Sequence, residues 1–213
     1  MPKKGLDSEN NVHKKRQAQI VQAAVDLIGR YGFYGTSLQQ ISDAVGLTNA
    51  GVLYYVKNKD GLLTLVLESY YDKSNKAWAY LREHSEESRS ITNPALLPDL
   101  YRCIAQTNEA RPDMVRLFSV LDAEALQSDH PAYEYFKRRE ELFEKHVSAV
   151  RWSLPEGASF HKTFRAANSM MDGLQLRWLR SEKKSLISMW EECSQVIFPY
   201  PLWEGFGSNR PRR

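Results

Sequence analysis

Two cysteines in 213 residues, Cys103 and Cys193, are too few and too far apart for a disulfide framework, and neither belongs to a CxxC pair. Each falls in a helix-like segment and reads as a reduced, buried thiol. No apolar run approaches the roughly 18–20 residues that span a bilayer. The mean hydropathy is −0.53, and the opening MPKKGLDSENNVHKKRQ has no apolar stretch of the secretory kind. A cytoplasmic chain without a membrane partner is expected. Alternation of apolar and polar residues is missing as well, which leaves no basis for a sheet. A glycine-rich phosphate loop, a GxSxG and an HExxH are absent. Glu140–Glu141 and Glu191–Glu192 are adjacent pairs, so their side chains diverge on a helix and cannot flank one substrate. His84, His130, His146 and His161 show no metal-ligand spacing. No enzyme, cofactor or metal is expected.

What is present is helical. The apolar fraction, 42%, is enough for a sizeable core. Ile20, Ala24, Leu27, Ile28 and Tyr31 form one stripe of a helix, closed by Gly32 and Gly35. Ser37 with Gln40 three places on is a capping-box pattern for a short second helix over 37–45, stopped by Gly46. Thr48 can cap a third short helix, and Asn58 a fourth running from Lys59 to about Glu83. The polar run His84–Thr92 reads as a loop. Asn93-Pro94, Arg111-Pro112 and His130-Pro131 each restart a helix, and Leu154–Gly157 and Ser181–Ser185 are further breaks. The expected architecture is all-α, about nine helices: a three-helix head over 1–60, a six-helix body over 61–200, and a tail over 201–213 that holds an aromatic strip and a loose basic end.

Charge is unevenly placed. Residues 1–60 carry eight Lys/Arg against five Asp/Glu, so the net +3 of the chain lies there and the remaining 21 bases and 21 acids cancel. A basic head on a neutral body suits a polyanion at one end. Within that head, TSLQQISDAVGLTNAGVLYYV can fold as two short helices sharing Leu38, Ile41, Val45, Leu47 and Val52, with Gly46 at the turn and the small Ser42, Ala44 and Ala50 where the helices cross. The second helix then presents Thr48, Asn49, Gly51, Tyr54 and Tyr55, whose hydroxyls and amide suit base edges and phosphates.

The run Thr36 through Leu63, ending NKDGLL, resembles the DNA-binding head of the TetR (tetracycline-repressor-like) family of bacterial regulators. The shared residues are Thr36, Ile41, Ala44, Gly46, Thr48, Tyr55, Lys59 and Leu62. Two positions depart from the family pattern. Val56 stands where Phe is usual, so Tyr31, Phe33 or Tyr34 is expected to fill the space, and Asn58 stands where Ser is commoner. The resemblance implies that Thr36, Tyr55 and Lys59 hold phosphates and that Thr48, Asn49, Gly51 and Tyr54 face the major groove. It also implies that Lys14, Lys15 and Arg16, just before the first helix, touch flanking backbone or minor groove. It further implies a body that binds a small-molecule effector, and because one such head contacts few bases, a homodimer on a palindromic double-stranded operator is expected.

The body offers two patterns. Phe160, Phe164, Ala167, Met171, Leu174 and Trp178 step by 4, 3, 4, 3, 4, and Leu186, Trp190, Cys193 and Ile197 repeat the step. Periodicity alone fits a dimer seam or helices packing on their own body, and the need for two heads on one DNA site favours the dimer seam. For an effector, Leu97, Tyr101, Ile104, Met114, Phe118, Leu121, Phe143 and Val147 supply an apolar lining, broken by Asp122, Asn168, Asp172 and Gln175. His161 and Arg165 are expected to line a helix face. Two other classes remain compatible with an all-helical chain, a protein-interaction module and a helical enzyme.

Overall fold

The computed structural model describes residues 4–68, 76–85, 94–181 and 184–207, with side chains from residue 11 onward. Among these residues there are ten α-helices and no strand; the one bridge joins Ala95 to Trp152. The helices are α1 (Lys4–Gly35), α2 (Leu38–Val45), α3 (Asn49–Val56), α4 (Lys59–Val66), α5 (Lys76–Glu83), α6 (Leu97–Glu109), α7 (Pro112–Glu124), α8 (Tyr133–Ser148), α9 (Phe160–Leu179) and α10 (Leu186–Cys193). The chain forms two compact units, Met1–Ser74 with Asp113–Phe136 and Asn75–Pro112 with Lys137–Arg213.

Helix ends follow local chemistry. Ser37 Oγ accepts from Gln40 N at 3.2 Å while Gln40 Oε1 accepts from Ser37 N at 2.7 Å, so the capping box is formed. Thr48 Oγ1 caps α3 through Gly51 N at 3.1 Å, and Asn58 Oδ1 caps α4 through Gly61 N at 2.7 Å. The helix predicted over 59–83 is described in two stretches, α4 and α5, with 69–75 outside the described residues. Two expectations change. Asn93 also lies outside the described residues, and α6 begins at Leu97 rather than Pro94, because Ala95 is drawn onto Trp152 and its carbonyl accepts from Ser153 N at 2.9 Å. And α1 starts at Lys4, so Lys14, Lys15 and Arg16 lie inside it rather than before it. Its first turns carry no apolar stripe for periodicity to register.

In the first unit, Ile20, Ala24, Val25 and Ile28 of α1 pack with Ile41, Val52, Val56, Leu62, Leu63, Leu117 and Leu121. Phe33, 3% exposed, fills the place beside Val56, whereas Tyr31 and Tyr34 are exposed. Ser42 is buried, but Ala44 and Ala50 are exposed and take no part in the helix crossing.

The end of α1 is broken at Gly32 (φ 77°, ψ 172°), a backbone region essentially closed to side chains. The break frees the Phe33 N–H, and Glu124 at the end of α7 captures it, N to Oε2 2.8 Å. A methyl on Gly32 would overlap that carboxylate. Thr36 Oγ1 donates to Gly32 O at 2.8 Å, closing the turn from the other side. His130 is buried against the rings of Phe33 and Tyr34. Its Nδ1 accepts from Ala132 N at 3.1 Å, so the ring proton sits on Nε2, whose nearest carboxylate is Glu124 at 3.6 Å. Lys59 Nζ lies 4.3 Å above the Phe33 ring. Burial lowers its proton affinity, against the opposing pull of Asp60 and then Glu124.

In the second unit the heptad stripes turn inward. Phe164, Met171, Leu174, Trp178, Leu186 and Trp190 are all buried within the chain itself, while Cys193 and Ile197 are half-buried. These six buried residues therefore belong to the unit's own core, with Tyr101 of α6 against Phe164 and Trp190. Tyr101 stacks on Trp190 with centroids 5.3 Å apart. Cys103 and Cys193 are free thiols, half-buried rather than fully buried. Phe198 and Trp203 are buried and in edge contact, so the aromatic strip after α10 is ordered as expected; residues 208–213 lie outside the description.

Two substitutions test this packing by chemical denaturation. Gly32→Ala should cost about 1–3 kcal/mol from the backbone alone, and more than Glu124→Gln, which keeps an acceptor for Phe33 N–H. Equal, negligible losses would mean that the break is not held by these contacts. Met171→Glu buries a lone charge and should cost several kcal/mol, lowering stability at any protein concentration rather than merely producing monomers.

Candidate nucleic-acid interface

Helices α2 and α3 meet across a three-residue turn. Gly46 takes the left-handed conformation (φ 65°, ψ 39°) and ends α2, its N–H reaching Asp43 O at 3.3 Å, while Leu47 N reaches Ser42 O at 3.0 Å. Ile41 and Val52 are fully buried between the two helices, with Leu38, Val45 and Leu47 packed at the edge of the same core. The chain then reverses through Lys57, which has φ 63°, into α4. Gly61 in that turn has no room for a side chain, because a Cβ would overlap the Val56 carbonyl. Local spacing marks NKDGLL as a motif without revealing this reason for its glycine.

The outer face of α3 is largely as expected. Thr48 and Asn49 are exposed, Tyr54 is 74% exposed, and Gly51 and Tyr55 are half-buried. Lys14, Lys15 and Arg16 are exposed on α1, and Arg16 Nη1 donates to Gln19 Oε1 at 3.0 Å. Immediately before them, His13 packs on Tyr55 with centroids 4.7 Å apart and meets Tyr54 edge-on at 5.9 Å. This contact brings α1's basic turn beside α3. Nothing in the apolar pattern marks His13, and only the fold brings it to the two tyrosines.

Two residues of the predicted set are committed elsewhere, and a third is partly covered. Thr36 is 1% exposed and its hydroxyl is used by Gly32 O, so its side chain holds the α1–α2 turn and is not offered to a phosphate. Asn49 bridges α2 and α3: its Oδ1 accepts from Ser42 Oγ at 2.7 Å and its Nδ2 donates to Gln39 Oε1 at 2.7 Å. Gln39 Nε2 in turn donates to Asp43 Oδ1 at 2.7 Å. The Asn49 amide, available to a base edge by helix spacing alone, thus already has one N–H and its oxygen engaged within the head. The exposed Gln39 is a surface residue that helix spacing does not single out. Lys59 is half-buried over Phe33.

The residues predicted to bind an effector are divided between the units. Met114, Phe118 and Asp122 belong to the first, where Met114 is buried and Phe118 meets Phe136 edge-on at 4.9 Å. Tyr101, Phe143, Asn168, Asp172 and Gln175 belong to the second. There Tyr101 is fully buried, and its hydroxyl lies 2.6 Å from Asn168 Oδ1 and 3.0 Å from Phe164 O. Burial pushes its phenol far above the ordinary tyrosine range, so it remains a neutral donor. Gln175 is buried and Asp172 exposed. Phe143 and Asn168 line one cleft of about 170 Å³ with Glu140, Glu144, His161, Phe164 and Arg165. Among the described residues no cluster of three metal-ligating side chains occurs, and no helix is long and apolar enough to cross a membrane.

Known proteins share this geometry. Residues 20–66 match the profile of the bacterial regulatory proteins of the tetR family. The HTH-type transcriptional regulator RutR of Escherichia coli K12 is 38% identical over 108 residues, a match spanning 50% of this chain and 47% of that protein's length. The probable HTH-type transcriptional regulator YttP of Bacillus subtilis is 33% identical over 58 residues, 27% of this chain and 28% of that one. Two solved structures extend the likeness in fold to most of the chain. NalD of Pseudomonas aeruginosa, the secondary repressor of the MexAB-OprM multidrug efflux pump, superposes with a TM-score of 0.62 at 21% identity, over 87% of this chain and 96% of that one. The transcriptional regulator FadR of Bacillus subtilis, solved in complex with stearoyl-CoA, gives 0.55 at 16% identity, over 84% and 96%. The capped α2–turn–α3 unit lies inside residues 20–66, the segment that matches the tetR family of bacterial regulatory proteins, and the chain spans about half the length of the RutR it resembles.

Proposed function

We propose that this chain is a sequence-specific DNA-binding transcriptional regulator that represses from a palindromic operator and is released by a small-molecule effector. The observation that carries the reading is the exposed face of α3. An amphipathic helix in a plain hairpin would cover that face with charged side chains, whereas here it carries Thr48, Tyr54 and the edge of Tyr55, flanked by Lys14, Lys15 and Arg16. Hydroxyl groups on a helix flanked by exposed cations suit a groove bounded by phosphates. Asn49 acts in this reading by fixing α3 against α2 and only secondarily as a contact. Lys59 and Tyr55 stand at the phosphate edge, and Gly51 lets the backbone approach. No catalytic role is assigned, and a cytoplasmic location follows from the DNA partner.

One such head touches few bases, so two copies reading a two-fold site is the economical arrangement. The surface for pairing lies on the outer side of α9, since its heptad stripe is spent inward. Ala166, Ser169, Gly173 and Leu176 step by 3, 4, 3 along that exposed side. A Cβ on Gly173 meets nothing within 4 Å, so a second helix can approach closely there.

The reading is tested by duplex titration against salt. Affinity for a palindrome with half-sites about one helical turn apart should fall by orders of magnitude between roughly 50 and 200 mM salt; a flat response overturns DNA binding. Replacing Lys14 and Lys15 with Ala should weaken every sequence alike and reduce the salt slope by about 1 for each phosphate that is no longer neutralised. Tyr54→Ala should instead cost roughly 1–3 kcal/mol at particular bases, and a uniform weakening would remove Tyr54 from the reading surface. For pairing, Leu176→Glu at an exposed site should leave the melting temperature nearly unchanged, give monomers in sedimentation and weaken the palindrome far more than a half-site. An unchanged dimer would place the seam elsewhere.

A further inference from the structure

We propose that the cleft between α8 and α9 takes a small amphoteric ligand, one amine and one carboxylate on a single apolar ring frame. This rests on the proposal that the second unit binds an effector, and it gives that effector a chemical class. The two walls carry opposite charge. Glu140 and Glu144 stand one turn apart on α8, and His161 and Arg165 stand one turn apart on α9. Opposed rows of this kind would be expected to close on each other as ion pairs. Among the described residues no pair within 4 Å joins them, and the space of about 170 Å³ stays open.

The floor explains why the walls stand apart. Phe143 and Phe164 lie between the charged rows with ring centroids 6.1 Å apart. Each is held from behind, Phe143 edge-on by Trp78 at 5.5 Å and Phe164 stacked on Phe160 at 5.6 Å. These rings keep the helices from collapsing. Beside them the Asn168 amide is anchored at one end by the buried Tyr101 hydroxyl, while its Nδ2 meets no acceptor among the described residues. An apolar cavity of about 150 Å³ accepts one benzene ring. This cleft therefore has room for a single ring on the two phenylalanines, with the ligand's charged ends at the rim. An ammonium would meet Glu140 and Glu144, and a carboxylate would meet Arg165, which can grip it bidentately, with His161 and the Asn168 N–H beside it. A purely apolar or singly charged ligand would leave one row unmatched.

Calorimetric titration of the full-length protein with L-phenylalanine, phenethylamine and 3-phenylpropionate tests the class, because the three share a ring and differ only in charge. L-Phenylalanine should bind at least about tenfold more tightly than either half-charged analogue, the worth of one charge-assisted hydrogen bond. Arg165→Glu should reverse the order in favour of phenethylamine. Glu140→Lys combined with Glu144→Lys should favour 3-phenylpropionate. Glu140, Glu144 and Arg165 are exposed, and unchanged thermal melts of the variants show that the fold is retained. Equal affinities, no binding at millimolar concentration, or an order unmoved by the charge reversals overturns the class. Duplex binding measured on the same samples separates the two ideas. A protein that binds its palindrome steeply with salt but ignores all three compounds loses the amphoteric site and keeps the DNA reading. One that takes L-phenylalanine but binds no duplex keeps the site and loses the regulator.

Discussion

The head depends on one hydrogen bond made across 91 residues of sequence, Phe33 N–H to the Glu124 carboxylate. A helix broken at Gly32 would leave a backbone donor orphaned in a core, which costs as much as the turn could gain. Glu124 removes that cost and Gly32 leaves the carboxylate room. Once the break is held, Phe33 can turn inward beside Val56, and Thr36 can close the turn that sets where α2 begins. Lys59 then rests on the same ring from α4. The ends or starts of α1, α2, α4 and α7 thus converge on Phe33 and a few polar atoms.

The exposed face of α3, proposed above to meet DNA, shows a related economy. A side chain that touches DNA must also be held still while DNA is absent, since a loose one loses rotamer freedom on binding. Asn49 and Gln39 solve this by bonding to each other and to Ser42 and Asp43, so α3 is fixed against α2 before any partner arrives. His13 does the same for the two tyrosines through ring packing. Such residues shape recognition by positioning their neighbours, and their own polar groups need not reach a base.

In the second unit, regular apolar spacing is compatible with two structures. A 4, 3, 4 stripe states only that one face of a helix is buried and leaves open what buries it. Here α6 supplies the cover, with Tyr101 stacking on Trp190, and the exposed side of α9 is left with small residues.

The sequence by itself determined the all-helical class, the caps at Ser37, Thr48 and Asn58, the left-handed Gly46 and the exposed face of α3. Each depends on contacts within a few residues, or on a stripe whose period is written directly in the chain. Only the tertiary structure decided that Thr36 and Asn49 are already engaged, that Lys14, Lys15 and Arg16 lie within a helix, and that the heptad stripe faces inward. It also decided that Glu124 reaches Phe33, that His13 packs on two tyrosines and that charged residues of α8 and α9 line one cleft. Those depend on which distant side chain arrives opposite, a choice made by packing the whole unit, to which local periodicity is blind.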